Sequence, residues 1–165
     1  MWSPFGFCGP QLSASAAAPQ RTAGFVGFGR IAHATLARLV PFGVQRVLYA
    51  SNPATPADPA RDAAHAQRFG VREVRRAPLA ELARESDVVF VLAPGGAATH
   101  HVIDEAFLRA MKPTAVLVNT SRGTLVDSDA LARALREGWL YGAGLDVVEG
   151  EPKVGADHPL VTAPR

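Results

Sequence analysis

Residues 24–32 read Gly-Phe-Val-Gly-Phe-Gly-Arg-Ile-Ala, and they are the most informative segment for predicting the fold. A short apolar run leads into Gly27-Phe28-Gly29-Arg30-Ile31-Ala32, which matches the pattern G-x-G-x-x-G/A. The first glycine permits a tight turn, the second lets a pyrophosphate approach the backbone, and a small third residue lets the helix lie against the sheet. A helix beginning here points its N-terminus at the phosphates. The stretch therefore predicts dinucleotide binding, although glycines also end strands for purely structural reasons.

Short apolar runs alternate with helical patterns along the rest of the chain. The run at 88–92 is apolar throughout, as expected for a strand covered on both faces. Six strands separated by helices imply parallel βαβ units. The sequence thus predicts an α/β fold, a doubly wound parallel sheet of the Rossmann dinucleotide-binding type. We expect strands at 24–28, 46–50, 71–74, 87–93, 115–119 and 140–146, and helices at 30–39, 59–69, 79–84, 104–111 and 128–136.

The composition excludes several classes of protein. With 165 residues, 48% of them apolar and 19% charged, the chain fits one globular domain. The 15 arginines and two lysines are scattered among 15 acids, without the basic run that would track nucleic acid. No apolar run approaches the ~20 residues of a membrane span. A single cysteine, Cys8, fits a reducing compartment, and we expect the cytoplasm.

The loop after the second predicted strand bears on the choice between NAD(H) and NADP(H). An acid in this region would hold the ribose hydroxyls of NAD, but the first acid of the chain is Asp58. A missing carboxylate removes repulsion against a 2′-phosphate, to which Ser51, Asn52 and Thr55 could donate hydrogen bonds. Arg61 could add positive charge. The loop favours NADP(H), the alternative being a loop that tolerates either cofactor.

Candidate substrate-binding residues follow the fifth and sixth predicted strands. Arg122 comes just after an apolar run, at the carboxyl end of a strand, where ligands bind in open α/β sheets. Its planar guanidinium can hold a carboxylate in a bidentate grip, although it could also be an ordinary surface arginine. Glu151 precedes a proline and by itself could be a surface residue. The five histidines lack metal-ligand spacing to cysteines or acids, so we expect structural roles and no metal: His33, His65, His100, His101 and His158.

Two segments make a family resemblance specific. Residues 111–127, from Met-Lys-Pro through Asn-Thr-Ser-Arg-Gly to Val-Asp, resemble the substrate-arginine signature of the D-2-hydroxyacid dehydrogenases, an NAD(P)-dependent family. Residues 144–147 and Glu151-Pro152 are similar to its stretch carrying a cofactor-contacting Asp and a catalytic Glu. The resemblance covers residues 23–160 and is strongest to the members that reduce glyoxylate and hydroxypyruvate. It implies NADP(H)-dependent reduction of a small 2-keto acid to the 2-hydroxyacid.

The resemblance also assigns roles to individual positions. Arg122 would bind the carboxylate and keto oxygen of the substrate. Glu151 would orient a histidine that gives a proton to that oxygen. The cofactor positions would be Gly27, Gly29, Arg30 and Ile31 at the pyrophosphate, Ser51, Asn52 and Thr55 at the adenosine 2′-phosphate, Pro94 and Thr120 along the cofactor, and Asp146 near the nicotinamide amide.

The resemblance places the catalytic histidine beyond Glu151, in a motif that does not occur in this sequence. We therefore expect an interdomain linker at 1–22, an NAD(P)-binding domain at 23–152, and at 153–165 a truncated connection to a substrate domain that is missing. Such a chain would be inactive alone, and the family suggests a homodimer through the cofactor domains. The alternative is a non-catalytic dinucleotide-sensing or interaction module of the same fold. Retention of both Arg122 and Glu151 favours the enzyme.

Overall fold

The computed structural model describes residues 21–162, which form alternating strands and helices. All strand pairs are parallel, and the six-stranded sheet has the order β3-β2-β1-β4-β5-β6. The predicted doubly wound α/β fold is confirmed. The elements are β1 (Arg21–Val26), α1 (Arg30–Leu39), β2 (Val44–Ala50), α2 (Pro59–Phe69), β3 (Glu73–Arg76), α3 (Leu79–Glu85), β4 (Val88–Val91), α4 (Glu105–Ala110), β5 (Val116–Asn119), α5 (Ser128–Glu137) and β6 (Gly142–Leu145).

The strand order reverses between β1 and β4, which lie side by side although α1, β2, α2, β3 and α3 separate them in the chain. At such a reversal, the connections leave neighbouring strands towards opposite faces of the sheet and open a crevice at the carboxyl ends. The loops that follow β1, β4 and β5 therefore meet at one edge of the sheet. The glycine motif and Arg122 both lie in these loops.

Apolar side chains bury both faces of the sheet. One cluster joins strands β1, β2 and β3 to helix α1 through fully buried residues such as Phe25, Leu36 and Val47. The other joins the centre of the sheet to α3, α4 and α5 through Leu82, Leu131 and their neighbours. Burying one such side chain stabilises the fold by about 1.5–3 kcal/mol. The crevice is thus built on a rigid, two-sided core.

Helix boundaries follow local capping chemistry. Asp58 accepts a hydrogen bond from the backbone N–H of Arg61 (3.0 Å) and begins α2, while Gly70 ends it in the left-handed region. Asp127 caps α5 in the same way through the N–H of Ala130 (2.9 Å). Helices 30–39 and 59–69 begin and end where the sequence predicts. Among residues 21–162, no helix has the length and apolar character needed to traverse a bilayer.

Strand boundaries differ more from the expectations. Strand β1 begins at Arg21, so the last two residues of the predicted linker 1–22 belong to the sheet instead; residues 1–20 lie outside the described part of the chain. The polar start of β1 is held by a hydrogen bond from the N–H of Thr22 to Asp87 Oδ2 (2.8 Å). Strand β3 lies two residues later than predicted, because the N–H of Val71 bonds back to the carbonyl of Ala66 (3.1 Å) and prolongs the turn after α2.

Candidate dinucleotide and substrate site

Gly27 makes the turn between β1 and α1 that the sequence predicts. Its φ is 93°, a left-handed conformation that side chains rarely adopt. A Cβ atom here would also lie 2.7 Å from the backbone nitrogen of Ala93, at the end of β4. Both backbone conformation and close approach therefore require glycine, and the turn lies directly at the β1–β4 crevice.

Gly29 differs from Gly27, because the protein's own atoms do not demand a glycine there. It is the N-terminal cap of α1, its backbone is extended, and a Cβ would meet nothing within 4 Å. The first turn of α1 holds no acidic residue, and Arg30 and Ile31 are exposed. Ala32 behind them is fully buried, which allows α1 to lie close to the sheet. The open space and the N–H groups of this helix end suit an anionic group.

The loop that carries Arg122 is held by Asn119, which is fully buried at the end of β5. Its Nδ2 donates to the Arg122 carbonyl (2.9 Å), and its Oδ1 accepts from the Ser121 N–H (3.1 Å). Ser121 Oγ in turn donates to the carbonyl of Ala93 (2.5 Å). These bonds join the ends of β4 and β5 and fix the backbone from which Arg122 projects. Asn119 and Ser121 belong to the predicted arginine signature, but the sequence alone does not reveal this supporting role.

Arg122 itself crosses the loop that follows β4. A Cβ added to Gly95 would lie 3.0 Å from Arg122 Cγ, so the absence of a side chain at Gly95 makes room for the arginine stem. The guanidinium is exposed and donates only to the carbonyl of Ser121 (2.8 Å, from Nη1) among the described contacts. Pro94 and Thr120 are exposed on the same loops. The guanidinium is thus positioned by its stem while most of its donors stay free for a ligand.

The loop of Glu151 lies against the loop of Arg122. A Cβ on Gly123 would overlap the backbone of Val148 and Glu149, so the two segments touch through bare backbone. Glu151 is exposed, and its Oε1 accepts a hydrogen bond from the N–H of Val148 (2.9 Å). The structure therefore brings together the neighbourhoods of Arg122 and Glu151, which are far apart in sequence.

Asp146, the remaining predicted site residue of this region, is exposed at the end of β6. Its backbone N–H donates to the carbonyl of Asn119 (3.0 Å). Asp146 is therefore at the same carboxyl edge of the sheet as the Arg122 loop, and its carboxylate faces solvent.

The loop after β2 is held by a cation that lies outside it and that the sequence did not reveal. Arg76, at the end of the neighbouring strand β3, donates from Nη2 to the carbonyls of Asn52 (2.9 Å) and Ser51 (3.3 Å), and from Nη1 to that of Thr55. Asn52 Oδ1 accepts from the N–H of Ala54 (2.9 Å), while Ser51 Oγ is buried without a hydrogen-bond partner. Arg76 could have been noticed as a basic residue ending the strand next to β2.

Arg61, which we expected to add charge to this loop, instead lies near the hydroxyl of Tyr49 (3.5 Å from Nη2). Tyr49 donates a buried hydrogen bond to Asp62 Oδ1 (2.6 Å). Burial, and then this hydrogen bond, raise the pKa of Tyr49 above its usual value. Arg61 therefore belongs to the contacts between α2 and β2, and Arg76 is the cation that holds the loop.

The histidines fall into separate groups. His33 and His65 pack with their ring centroids 4.6 Å apart, next to Phe28 and Phe69, as expected for structural residues. Burial, and then the charge of His65, lower the pKa of His33. His100 and His101 both face Glu149, which lies 48 residues or more further along the chain. Such a distance explains why local ligand spacing in the sequence does not reveal the cluster.

Comparison with known proteins gives the same family as the residues. Residues 8–165 match the family described as D-isomer specific 2-hydroxyacid dehydrogenase, NAD binding domain. The glyoxylate reductase of Thermococcus onnurineus is 44% identical over 151 residues, which are 92% of this chain and 40% of that protein. The glyoxylate reductase/hydroxypyruvate reductase of Mus musculus is 40% identical over 161 residues, 98% of this chain and 44% of that protein.

A solved structure shares the fold at the same level of identity. The apo form of Rhodotorula graminis D-mandelate dehydrogenase superimposes with a TM-score of 0.70 at 41% identity, covering 82% of this chain and 37% of that one. The chain spans about 40% of the length of these two curated relatives. With its glycine turn, its arginine loop and this match over nearly its whole length, the chain belongs to the D-isomer specific 2-hydroxyacid dehydrogenase family, as an NAD-binding domain.

Proposed function

We propose that this chain is the NADP(H)-binding domain of a reductase that converts glyoxylate or hydroxypyruvate to the corresponding 2-hydroxyacid. The observation that carries the proposal is the contact between the arginine loop and the Glu151 loop through Gly123, at the edge of the sheet where the glycine turn also lies. This arrangement would put a carboxylate-binding arginine at the same edge as the dinucleotide. The relatives named as glyoxylate reductases support the choice of substrate class.

The residues present fit a nicotinamide dinucleotide. Open space above Gly29 and the acid-free start of α1 would accept the pyrophosphate, beside Arg30 and Ile31. The unpartnered Ser51 Oγ offers a hydroxyl to the adenosine end. When bound, the cofactor supplies the hydride. Pro94, Thr120 and Asp146 are exposed on the loops that continue from this crevice, as expected for residues lining the cofactor.

The choice of NADP(H) over NAD(H) rests on charge. Residues 50–57 contain no acid, so nothing there repels a 2′-phosphate or holds a pair of ribose hydroxyls. Arg76 adds a guanidinium against the same loop and fixes the carbonyls of Asn52 and Thr55. The side chains of Ser51, Asn52 and Thr55 would then donate to the phosphate, with Arg76 supplying positive charge behind them.

Arg122 would bind the substrate. Its free N–H groups can pair with the two oxygens of a 2-keto acid's carboxylate and stabilise charge that develops on the keto oxygen. Glu151 would position a histidine and raise its basicity. None of the five histidines occupies the place that the family gives to this proton donor, so we propose that the 165-residue chain does not reduce keto acids alone.

A non-catalytic dinucleotide-sensing module would need the glycine turn but not the arginine loop. A fully buried asparagine, the Ser121–Ala93 bond and the close backbone contact at Gly123 all position the Arg122 loop. A sensing module would not need these features, so they support the enzyme. The homodimer and the cytoplasmic location stay predictions.

The test uses a chimera in which residues 23–152 replace the matching part of the Thermococcus onnurineus glyoxylate reductase, alongside the 165-residue chain. We expect the chimera to oxidise NADPH with hydroxypyruvate, and Arg122→Ala to lower kcat/KM by at least about 100-fold, since a charge-assisted bidentate contact is lost. Arg122→Lys, which keeps the charge but not the fork, should recover only part of the loss.

The chain alone should consume NADPH no faster than its own Arg122→Ala variant. An Arg122-dependent rate from the chain alone would mean that His158 or another group serves as the acid. A chimera that binds NADPH and is folded by circular dichroism, but whose residual rate is insensitive to Arg122, would refute the assignment of the substrate site.

A further inference from the structure

Two adjacent histidines and a glutamate that is distant in sequence form a cluster beside the arginine loop. His101 Nε2 lies 2.8 Å from Glu149 Oε2, and His100 Nε2 lies 3.3 Å from Glu149 Oε1. The two imidazole rings are stacked, with centroids 3.9 Å apart. The carboxylate of Glu149 therefore contacts both rings. The histidines lie in the loop between β4 and α4, and Glu149 lies in the loop after β6.

We propose that His100, His101 and Glu149 form a binding site for a divalent transition-metal cation, Zn²⁺ being the ion that this donor set suits best. Imidazole nitrogen and carboxylate oxygen are ordinary zinc ligands, and two histidines with one glutamate are a known zinc-binding combination. The three groups each offer one ligand atom, and these atoms all lie within 4.8 Å of one another. This inference stands independently of the proposed reductase function.

The distances are close to those that a tetrahedral ion requires. With metal–ligand bonds of about 2.0–2.1 Å, ligand atoms at two corners of a tetrahedron are about 3.3 Å apart. The separations of 2.8 and 3.3 Å each join one imidazole to a different oxygen of Glu149, so side-chain rotations would bring the donor atoms onto one ion. His100 is about half exposed, with 52% of its side-chain surface accessible, so solvent can reach the open fourth position.

A second carboxylate lies behind His101, as it does behind most metal-binding histidines. His101 Nδ1 is 4.0 Å from Asp127 Oδ2, while Asp127 Oδ1 is held by the N–H of Ala130 (2.9 Å) at the start of α5. A hydrogen bond between these two groups in the metal-bound state would keep the proton on Nδ1 and leave Nε2 free to bind a metal.

The backbone of His101 adopts a conformation that residues other than glycine seldom adopt. His101 has φ 48°, and it is the one non-glycine residue with positive φ among residues 21–162. Its N–H donates to the carbonyl of Thr124 (2.9 Å). Backbone conformations of this kind persist where the surroundings fix them and are concentrated at ligand sites.

In the structure each imidazole contacts a different oxygen of Glu149. A bound ion would hold both imidazoles and the carboxylate at one centre. Because the backbone of Glu149 lies against Gly123, a bound ion would tie the loop after β4 to the loop that carries Glu151.

The test is calorimetric titration of Zn²⁺ into the 165-residue chain, purified without a polyhistidine tag and with Cys8→Ser to remove the thiol. We expect one ion per chain. His100→Ala, His101→Ala and Glu149→Gln should each weaken binding at least about 10-fold, and Asp127→Asn, which keeps the helix cap, by about 10-fold. His158→Ala, outside the cluster, should leave the affinity unchanged. Co²⁺ should give the visible absorption of a tetrahedral complex.

Two results would overturn the proposal. The first is no saturable Zn²⁺ binding to a chain whose circular dichroism spectrum shows it to be folded. The second is binding that persists unchanged in Glu149→Gln, whose amide matches the carboxylate in shape and leaves the fold the least disturbed of these variants. A metal-free ion pair would then account for the cluster.

Discussion

Gly123 lies directly against the backbone of Val148, and a Cβ atom at Gly123 would overlap the Val148 carbonyl group. The contact joins the loop of Arg122 to the loop of Glu151 without any side chain between them. Backbone atoms cannot rotate away as a flexible side chain can. The spacing of Arg122 and Glu151 is therefore fixed by the shape of two main-chain segments.

Gly123→Ala should separate these two loops. The added methyl group has to displace the backbone of residues 148–149, which we expect to cost about 1–3 kcal/mol or more of the free energy of unfolding. Gly144→Ala is the matched control, because a Cβ there would meet nothing within 4 Å. Urea denaturation measures both variants. Equal stabilities of the two would show that the loops do not touch as described.

Arg76→Met should weaken NADP(H) binding more than NAD(H) binding, because the guanidinium that holds the loop after β2 is lost. Asn52→Asp should act in the same direction, since it places a carboxylate beside the 2′-phosphate position. We expect a change of about 10-fold in the ratio of dissociation constants, or 1.4 kcal/mol. Calorimetric titration of each variant with both cofactors measures the ratio. Arg61→Met, whose guanidinium lies near Tyr49, is the control.

His33 should make the stability depend on pH. Burial, and then the charge of His65, lower its pKa in the folded state below the ordinary 6.5. The unfolded chain therefore binds the proton more readily than the folded chain. The contribution of neutral His33 to the free energy of unfolding is fully present above about pH 6.5 and is lost as the pH falls below that value. Arg61 and Arg68 act in the same direction.

His33→Phe should flatten this dependence, because phenylalanine keeps the packing against Phe28 without a titrating nitrogen. Thermal unfolding at several pH values between about 7 and 5 checks it. His158→Gln, which belongs to none of these ring contacts, serves as the control. An unchanged slope in His33→Phe would assign the acid sensitivity to other groups.

The alternation of strands and helices predicted the doubly wound fold, and two helices were predicted to the residue because their ends are fixed by local chemistry. Gly27, Asp58 and Gly70 fix turns and caps by their own chemistry. Strand ends were less accurate, since they depend on partners elsewhere, such as Asp87 for Thr22.

In the candidate site too, features set by local sequence were predicted and features set by distant contacts were not. The arginine signature is contiguous and was found, whereas the support of Arg122 by Gly95 and the position of Arg76 beside Asn52 exist only after the strands pair. The cluster of Glu149 with the two histidines joins loops nearly 50 residues apart in sequence, so a local sequence pattern does not predict it.

Titration of NADPH and NADH into the chain and into its Gly29→Val variant tests the proposed dinucleotide site most directly. We expect the wild-type chain to bind NADPH more tightly than NADH, and Gly29→Val to lose binding of both while its circular dichroism spectrum stays intact. The reason is that a Cβ atom at Gly29 would meet no protein atom within 4 Å, whereas a valine side chain would occupy the space that we propose for the pyrophosphate. Unchanged affinity in a folded Gly29→Val chain would contradict the phosphate site. NADH binding ten-fold tighter than NADPH, about 1.4 kcal/mol, would contradict the cofactor preference.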